Sequence, residues 1–270
     1  MSTVRLSVDQ ECPTLGIIEL IRPEKFNSFI HAQYGDISEA LEKFDNDDSI
    51  SVVILTGTGK YYSSGNDLSE QSTSMAINSD DLEKKIKESI ETAASRLVKA
   101  MINFKKPLII GVNGPAVGIA VTSLLLADIV YSTKSATFNT PFMRFGFCAE
   151  GCSSLLFPMV MGISKANELL LLGKMMSSEE AKQCGFIADY FEDDQFKSEL
   201  LKRARTMAGF PPNALKQTKA LVRDRIKSAL LDANEKELTL LVERFMSDEC
   251  VNAIMQFMME QRAKKQRAKL

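Results

Sequence analysis

At 270 residues, with 45% hydrophobic and 25% charged side chains, the chain has the composition of a soluble globular protein with room for one large core or two small ones. A formal net charge of −2 argues against a general nucleic-acid binder, and the longest apolar stretch, Pro115–Val130, is too short for a membrane span and contains Asp128. Five scattered cysteines without a Cys-x-x-Cys, and His31 as the single histidine, speak against a zinc site and against a disulfide framework.

Taken in order, residues 3–8 and 14–21 alternate or run apolar with β-branched side chains, which predicts a first hairpin. Arg22-Pro23-Glu24-Lys25 breaks the pattern and opens a loop. Helical spacing follows from Phe29 to Phe44 through Ile37 and Leu41, and Asp45-Asn46-Asp47-Asp48 ends it as a polar turn. Ser51–Leu55 reads as a short buried strand closed by Thr56-Gly57-Thr58-Gly59-Lys60. Tyr61-Tyr62-Ser63-Ser64-Gly65-Asn66-Asp67-Leu68 is a loop in which strand-like aromatics enter a Ser-Ser-Gly turn. Residues 69–79 are polar and Ser-rich, as at the mouth of a site, and Leu82–Phe104 has the spacing of an amphipathic helix.

The chain is organised around residues 108–151. Leu108–Val112 is an apolar run expected as a buried parallel strand, and Gly114-Pro115-Ala116-Val117-Gly118-Ile119 turns from it into Ala116–Leu126, expected as a buried helix. A helix entered through such a turn has free N–H groups, and Gly118 lets a ligand approach them. Two such groups aimed at a bound carbonyl oxygen form an oxyanion hole. Thirty residues on, Glu150 stands among apolar neighbours, where desolvation raises a carboxyl pKa, although a helix starting near Gly151 would lower it. A hole for negative charge beside one acid points to proton abstraction next to a carbonyl.

Beyond this unit come a strand at Ala136–Asn139 and a pocket-lining segment, Thr140–Phe147. Helices are expected at Ser153–Met161 and Ser164–Leu172, separated by Gly162, and at Ser177–Cys184, capped by Ser177 or Ser178. From residue 192 the chain is helical and amphipathic, interrupted at Gly209-Phe210-Pro211-Pro212. The order of elements gives an α/β core followed by a helical C-terminal region. No Gly-x-Gly-x-x-Gly or Walker-type loop occurs.

Three segments, Ser63-Ser64-Gly65-Asn66-Asp67-Leu68, Asn113–Ile119 and Ala127-Asp128-Ile129-Val130, resemble the crotonase (enoyl-CoA hydratase/isomerase) superfamily, and the likeness runs from about residue 4 to 250. Thr140-Pro141-Phe142 through Ser154 looks like its peroxisomal enoyl-CoA delta-isomerase branch. The resemblance implies a crotonase-like spiral of strand-strand-helix turns over residues 1–200 that carries an acyl-CoA site. It also implies a helical region over 201–270 for oligomerisation and targeting, with homotrimers or homohexamers as the assembled form. The oxyanion N–H groups fall on Asn66 and Ile119 and the base on Glu150. CoA would lie along Ser63, Ser64, Gly65, Asp67 and Leu68 and beside Gly118, with Lys25 and Phe26 near its phosphates. No cofactor beyond the CoA of the substrate and no metal is implied.

A hydratase of this superfamily needs two glutamates, at the positions of Thr122 and Phe142, and neither is an acid here. The implied reaction is therefore the shift of a 3-cis or 3-trans double bond to 2-trans in an enoyl-CoA, within β-oxidation of unsaturated fatty acids. The alternatives are an acyl-CoA hydrolase or lyase of the same superfamily and a non-catalytic acyl-CoA binder. Ala268-Lys269-Leu270 is a close variant of the Ser-Lys-Leu address, so a peroxisomal import receptor is an expected partner and the peroxisomal matrix the expected location.

Overall fold

The computed structural model describes residues 2–67 and 94–267, with side chains through residue 260. Leu68, the 69–79 loop, the first part of the Leu82–Phe104 helix and the Ala268-Lys269-Leu270 tail lie outside the described residues.

The expected hairpin is present: β1 (Val4–Val8) pairs antiparallel with β2 (Leu15–Leu20). β2 then starts a parallel run through β3 (Val52–Gly57), β4 (Leu108–Val112), β6 (Ile129–Thr133) and β9 (Asp189–Phe191). Both faces of this sheet are covered, which is why its central strands are apolar without interruption. In β3 the side chains of Val53 and Leu55 enter the main core with Phe44 and Val98, while Val52 and Ile54 point the other way onto Phe196 and Leu200. The helices that cover the main-core face are α1 (His31–Asp45) and α2 (Ser95–Asn103). The opposite face is covered by α7 (Phe196–Ala208), which runs through the expected division at residue 200.

One expected helix is corrected. Ala116–Leu126 is not continuous: Ala116–Val117 is a short strand, β5, followed by the one-turn helix α3 (Ile119–Thr122) and a 3-10 turn, Ser123–Leu126. The break is at Gly118, whose φ of 59° and ψ of −126° lie outside the helical region and in territory that suits glycine. β5 instead finds a partner in β7 (Thr137–Asn139), aligned Ala116 to Phe138, and β7 pairs with β8 (Met176–Ser177) in a small second sheet. An apolar segment satisfies burial equally as strand or helix, so periodicity could not separate the two.

The later helices match the expected punctuation. α4 (Ser153–Met161) and α5 (Ile163–Leu170) part at Gly162, and α6 (Ser178–Gln183) is opened by Ser177 in a capping box with Glu180. Pro212 starts α8 (Pro212–Phe245), and α9 (Asp248–Arg267) follows. Asp128 anchors α8 to the sheet: its carboxylate accepts the Leu108 N–H at 2.8 Å and lies 2.7 Å from the ammonium of Lys219 and 3.3 Å from the guanidinium of Arg223. Among the described residues no helix is long and apolar enough to cross a membrane.

Candidate active site

Two close main-chain approaches bring the functional segments together. A Cβ on Gly65 would stand 2.5 Å from the carbonyl oxygen of Val117, so only a residue without a side chain lets the 63–67 loop cross the turn leading into α3. A Cβ on Gly151 would stand 2.6 Å from the Thr122 hydroxyl and 3.2 Å from the Ile119 side chain, so the Glu150 turn is seated on α3 itself. Backbone hydrogen bonds hold the first crossing: Val117 donates its N–H to Ser63 at 3.0 Å, and Phe29 donates to Gly65 at 2.8 Å. As a result Asn66, Ile119 and Glu150 line one cavity of about 270 Å³.

Main-chain geometry leaves two donors there. Ile119 is the first residue of its helix, so its N–H has no intrahelical acceptor. Among the described residues neither the Ile119 N–H nor the Asn66 N–H meets an acceptor. At Gly118 a Cβ would touch nothing within 4 Å, so the cavity side of this turn is open to a ligand. The Asn66 side chain is itself held, because the buried Tyr34 hydroxyl of α1 donates to its Oδ1 in a short hydrogen bond.

Among the described residues that line the cavity, Glu150 is the one carboxylate. It is 5% exposed, and no donor among the described residues reaches its carboxylate. Burial, and secondarily the charge of Glu237, push its pKa up to about 8. The two opposing expectations for this group are thus decided in favour of the apolar surroundings. A second carboxylate explains why the helix does not lower it: Glu237 of α8 accepts the N–H groups of Cys152 and Ser154 at 2.7 and 2.8 Å, taking the start of α4. The flanking thiols Cys148 and Cys152 are both pushed up to about 12, mainly by burial, and so stay neutral.

The rest of the cavity is aromatic. Phe142, Phe145 and Phe147 come from the expected pocket segment, and Phe257 arrives from α9 with its ring 5.0 Å from that of Phe145. Arg144 lies over the Phe257 ring at 5.3 Å and pairs with Glu260 at 3.2 Å, tying α9 to the cavity wall. Thr122 and Phe142, the positions where a hydratase of the family is expected to carry acids, are both buried and neither is an acid.

The remaining expected positions divide. Ser64, Gly65 and Gly118 line the cavity with the three central residues. Lys25 is exposed at the end of a 3-10 turn, and the exposed Phe26 lies 4.8 Å from the Tyr61 ring, with its carbonyl accepting the Ser64 N–H at 2.9 Å. That puts both beside the 63–67 loop, outside the cavity. Asp67 accepts the Ser28 hydroxyl at 3.1 Å. Ser63 is wholly buried: its hydroxyl donates to the Asn27 carbonyl at 2.7 Å and accepts the Gly65 N–H at 3.1 Å, so its side chain serves the loop. Sequence reasoning missed Tyr34, Glu237 and Phe257. For Glu237 a signal exists, since Leu230, Asn234, Glu237, Leu241 and Phe245 form the buried stripe of α8 at helical spacing and two of them are polar.

A family model described as enoyl-CoA hydratase/isomerase matches residues 11–267. Enoyl-CoA delta isomerase 2 of Rattus norvegicus is 42% identical over 243 residues, covering 87% of this chain and 59% of its own length. Enoyl-CoA delta isomerase 3, peroxisomal, of Mus musculus is 37% identical over 240 residues, covering 88% of this chain and 73% of its own. The chain thus spans about three fifths of the length of the isomerase 2 relative. Among solved structures, an enoyl-CoA hydratase/isomerase from Pseudoalteromonas atlantica T6c superposes with a TM-score of 0.85 at 31% identity, covering 96% of this chain and 97% of that one. The expected crotonase-like α/β fold with a helical C-terminal region is the fold of this chain.

Proposed function

Because this chain belongs to the enoyl-CoA hydratase/isomerase family, we propose that it is an enoyl-CoA delta-isomerase, moving a 3-cis or 3-trans double bond to the 2-trans position with Glu150 as the only acid–base group. The observation that carries this reading is the cavity itself, which among the described residues joins two N–H groups without an acceptor, at Asn66 and Ile119, to a single carboxylate.

The thioester carbonyl oxygen sits between the two N–H groups. Glu150, ionised, removes a proton from C2, and the electron pair spreads over the dienolate with its charge gathered on that oxygen. The protonated carboxyl returns the proton to C4, which leaves the double bond between C2 and C3 in conjugation with the carbonyl. One carboxyl suffices because removal and return take place on one face of a planar intermediate. Losing one oxyanion donor typically costs about 10²–10³-fold in rate and losing a positioned base about 10²–10⁴-fold, so both are needed. A hydratase would need a second acid to activate water, and Thr122 and Phe142 offer none.

In this reading the aromatic wall of Phe142, Phe145, Phe147 and Phe257 would take the acyl chain, and Lys25 and Phe26, exposed beside the 63–67 loop, would meet the CoA phosphates. The reading includes β-oxidation of unsaturated fatty acids in the peroxisomal matrix, import through Ala268-Lys269-Leu270, and a homotrimer or homohexamer. The terminal tripeptide and the peroxisomal name of the mouse relative support the location.

Purified protein given 3-hexenoyl-CoA should produce an absorbance rise as the double bond comes into conjugation with the thioester. A flat trace with tight CoA-ester binding would replace the isomerase by a binder, and release of free thiol would replace it by a hydrolase.

A further inference from the structure

Glu237 is a buried carboxylate with no part in the proton shuttle, 87 residues from Glu150 in sequence and yet bound to the segment that follows it. It comes from the C-terminal third of α8, on the stripe that packs inward with Leu230, Leu238 and Leu241. Its two oxygens divide between two main-chain donors, Oε2 on the Cys152 N–H at 2.7 Å and Oε1 on the Ser154 N–H at 2.8 Å. Cys152 is held with a φ of 63°, a left-handed conformation unusual for a side-chain-bearing residue, directly after Gly151 at 66°. This pair of left-handed residues turns the chain sharply between the acid and the helix. Without Glu237 the start of α4 would be an attractive place for the Glu150 carboxylate, three residues before Ser153.

We propose that Glu237 is a positioning residue for Glu150: it takes the N–H groups at the start of α4, fixes the Gly151–Cys152 turn, and leaves the Glu150 carboxylate facing the cavity beside its own negative charge. The inference rests on the reading of Glu150 as the base. Its chemical consequence is a stronger base. A carboxylate bonded to a helix N-terminus is a weak proton acceptor, whereas one that is desolvated, unbonded and near a like charge is a good one. Burial raises the Glu237 carboxyl as well, but two backbone donors oppose that rise and Glu150 has none among the described residues, so of the two acids Glu150 is the one that holds a proton near neutral pH.

The other titratable groups around the pair do not compete for this role. Tyr34 of α1 faces Glu150 and is kept neutral by burial and by that same charge. Cys148 and Cys152, from the turn before α4, are neutral thiols. Arg244, two turns further along α8, directs its guanidinium to the Gly146 carbonyl at 2.8 Å and to Glu249.

The test is the pH dependence of kcat/KM for 3-hexenoyl-CoA in wild type and Glu237→Gln, which keeps the shape of the side chain and removes its charge. The acid limb should move to lower pH by about one unit, the low end of what a nearby like charge does, while the plateau rate drops about threefold. A limb that stays in place while the plateau or the stability falls would make Glu237 purely structural and overturn the proposal. A second measurement needs neither turnover nor the Glu237 variant: pH-difference infrared spectra of the free protein, wild type against Glu150→Gln. A carboxylic C=O band titrating near pH 8 should be present in wild type and lost in Glu150→Gln. Its persistence in Glu150→Gln would make Glu237 the proton holder and sink the inference, even in a fully active isomerase. Inactive wild type with the expected band would defeat the isomerase reading alone.

Discussion

The Tyr34 hydroxyl donates to the side-chain oxygen of Asn66, a residue that lines the cavity. α1 is thereby fastened to the Asn66 turn by a residue that lies 32 positions earlier in the sequence. Tyr34→Phe keeps the ring in its edge contact with Phe29 and removes only the donor. We expect kcat/KM to fall about tenfold through a loosened Asn66 and stability to fall by about 1 kcal/mol. Steady-state kinetics and urea unfolding on the same preparation check both.

Glu150→Gln should reduce turnover by about 10²–10⁴-fold while leaving CoA-ester affinity within a few-fold, because the amide keeps the volume and cannot accept the C2 proton. Single-turnover kinetics with an independent binding titration separates the two. Activity surviving the substitution would place the base elsewhere.

The raised pKa of Glu150 gives the wild-type profile a direction. The base must be ionised, so kcat/KM should decline about tenfold per unit as pH falls below about 8. A limb near the ordinary carboxylate value of 4.5 would contradict the buried environment.

Stability should respond to pH in the opposite sense. The native state holds the Glu150 proton up to a pH of about 8, whereas the unfolded chain releases it near 4.5, so between those values the native state binds more protons and stability falls as pH rises. Glu150→Gln removes this penalty. It should match wild type near pH 4 and exceed it by roughly 2–4 kcal/mol above pH 9, read from urea unfolding at the two pH values.

Gly118→Ala tests the turn itself. The positive φ strains an L side chain by more than about 1 kcal/mol, and the Cβ would meet no protein atom within 4 Å at a residue that lines the cavity. Activity should therefore fall far more than stability, with KM rising as the methyl group meets the thioester. A loss confined to stability would show that the turn does not face the substrate.

Much of this site was legible in the sequence because its parts are local. Gly65, Gly118 and Glu150 each sit in a short segment whose neighbours announce a turn, and Val52–Leu55 and Leu108–Val112 are apolar enough to require a covered sheet. The helix expected at Ala116–Leu126 gave way because β5 draws on a partner some 22 residues later, Phe138 opposite Ala116, which no local pattern reveals. Glu237 escaped for the same reason. Its partners, Cys152 and Ser154, are more than 80 residues away, and only its place on the inward stripe of α8 distinguishes it from a solvated acid.

The crossing of Gly65 over Val117 and the seating of Gly151 on Thr122 have one more outcome. On the reading proposed above, the oxyanion donors and the acid are registered by peptide units pressed against one another, whereas the acyl chain would meet ordinary side chains supplied by several elements. Evolution can therefore redraw the phenylalanine wall, to accommodate longer, shorter or bent fatty tails, without disturbing the atoms that move the proton.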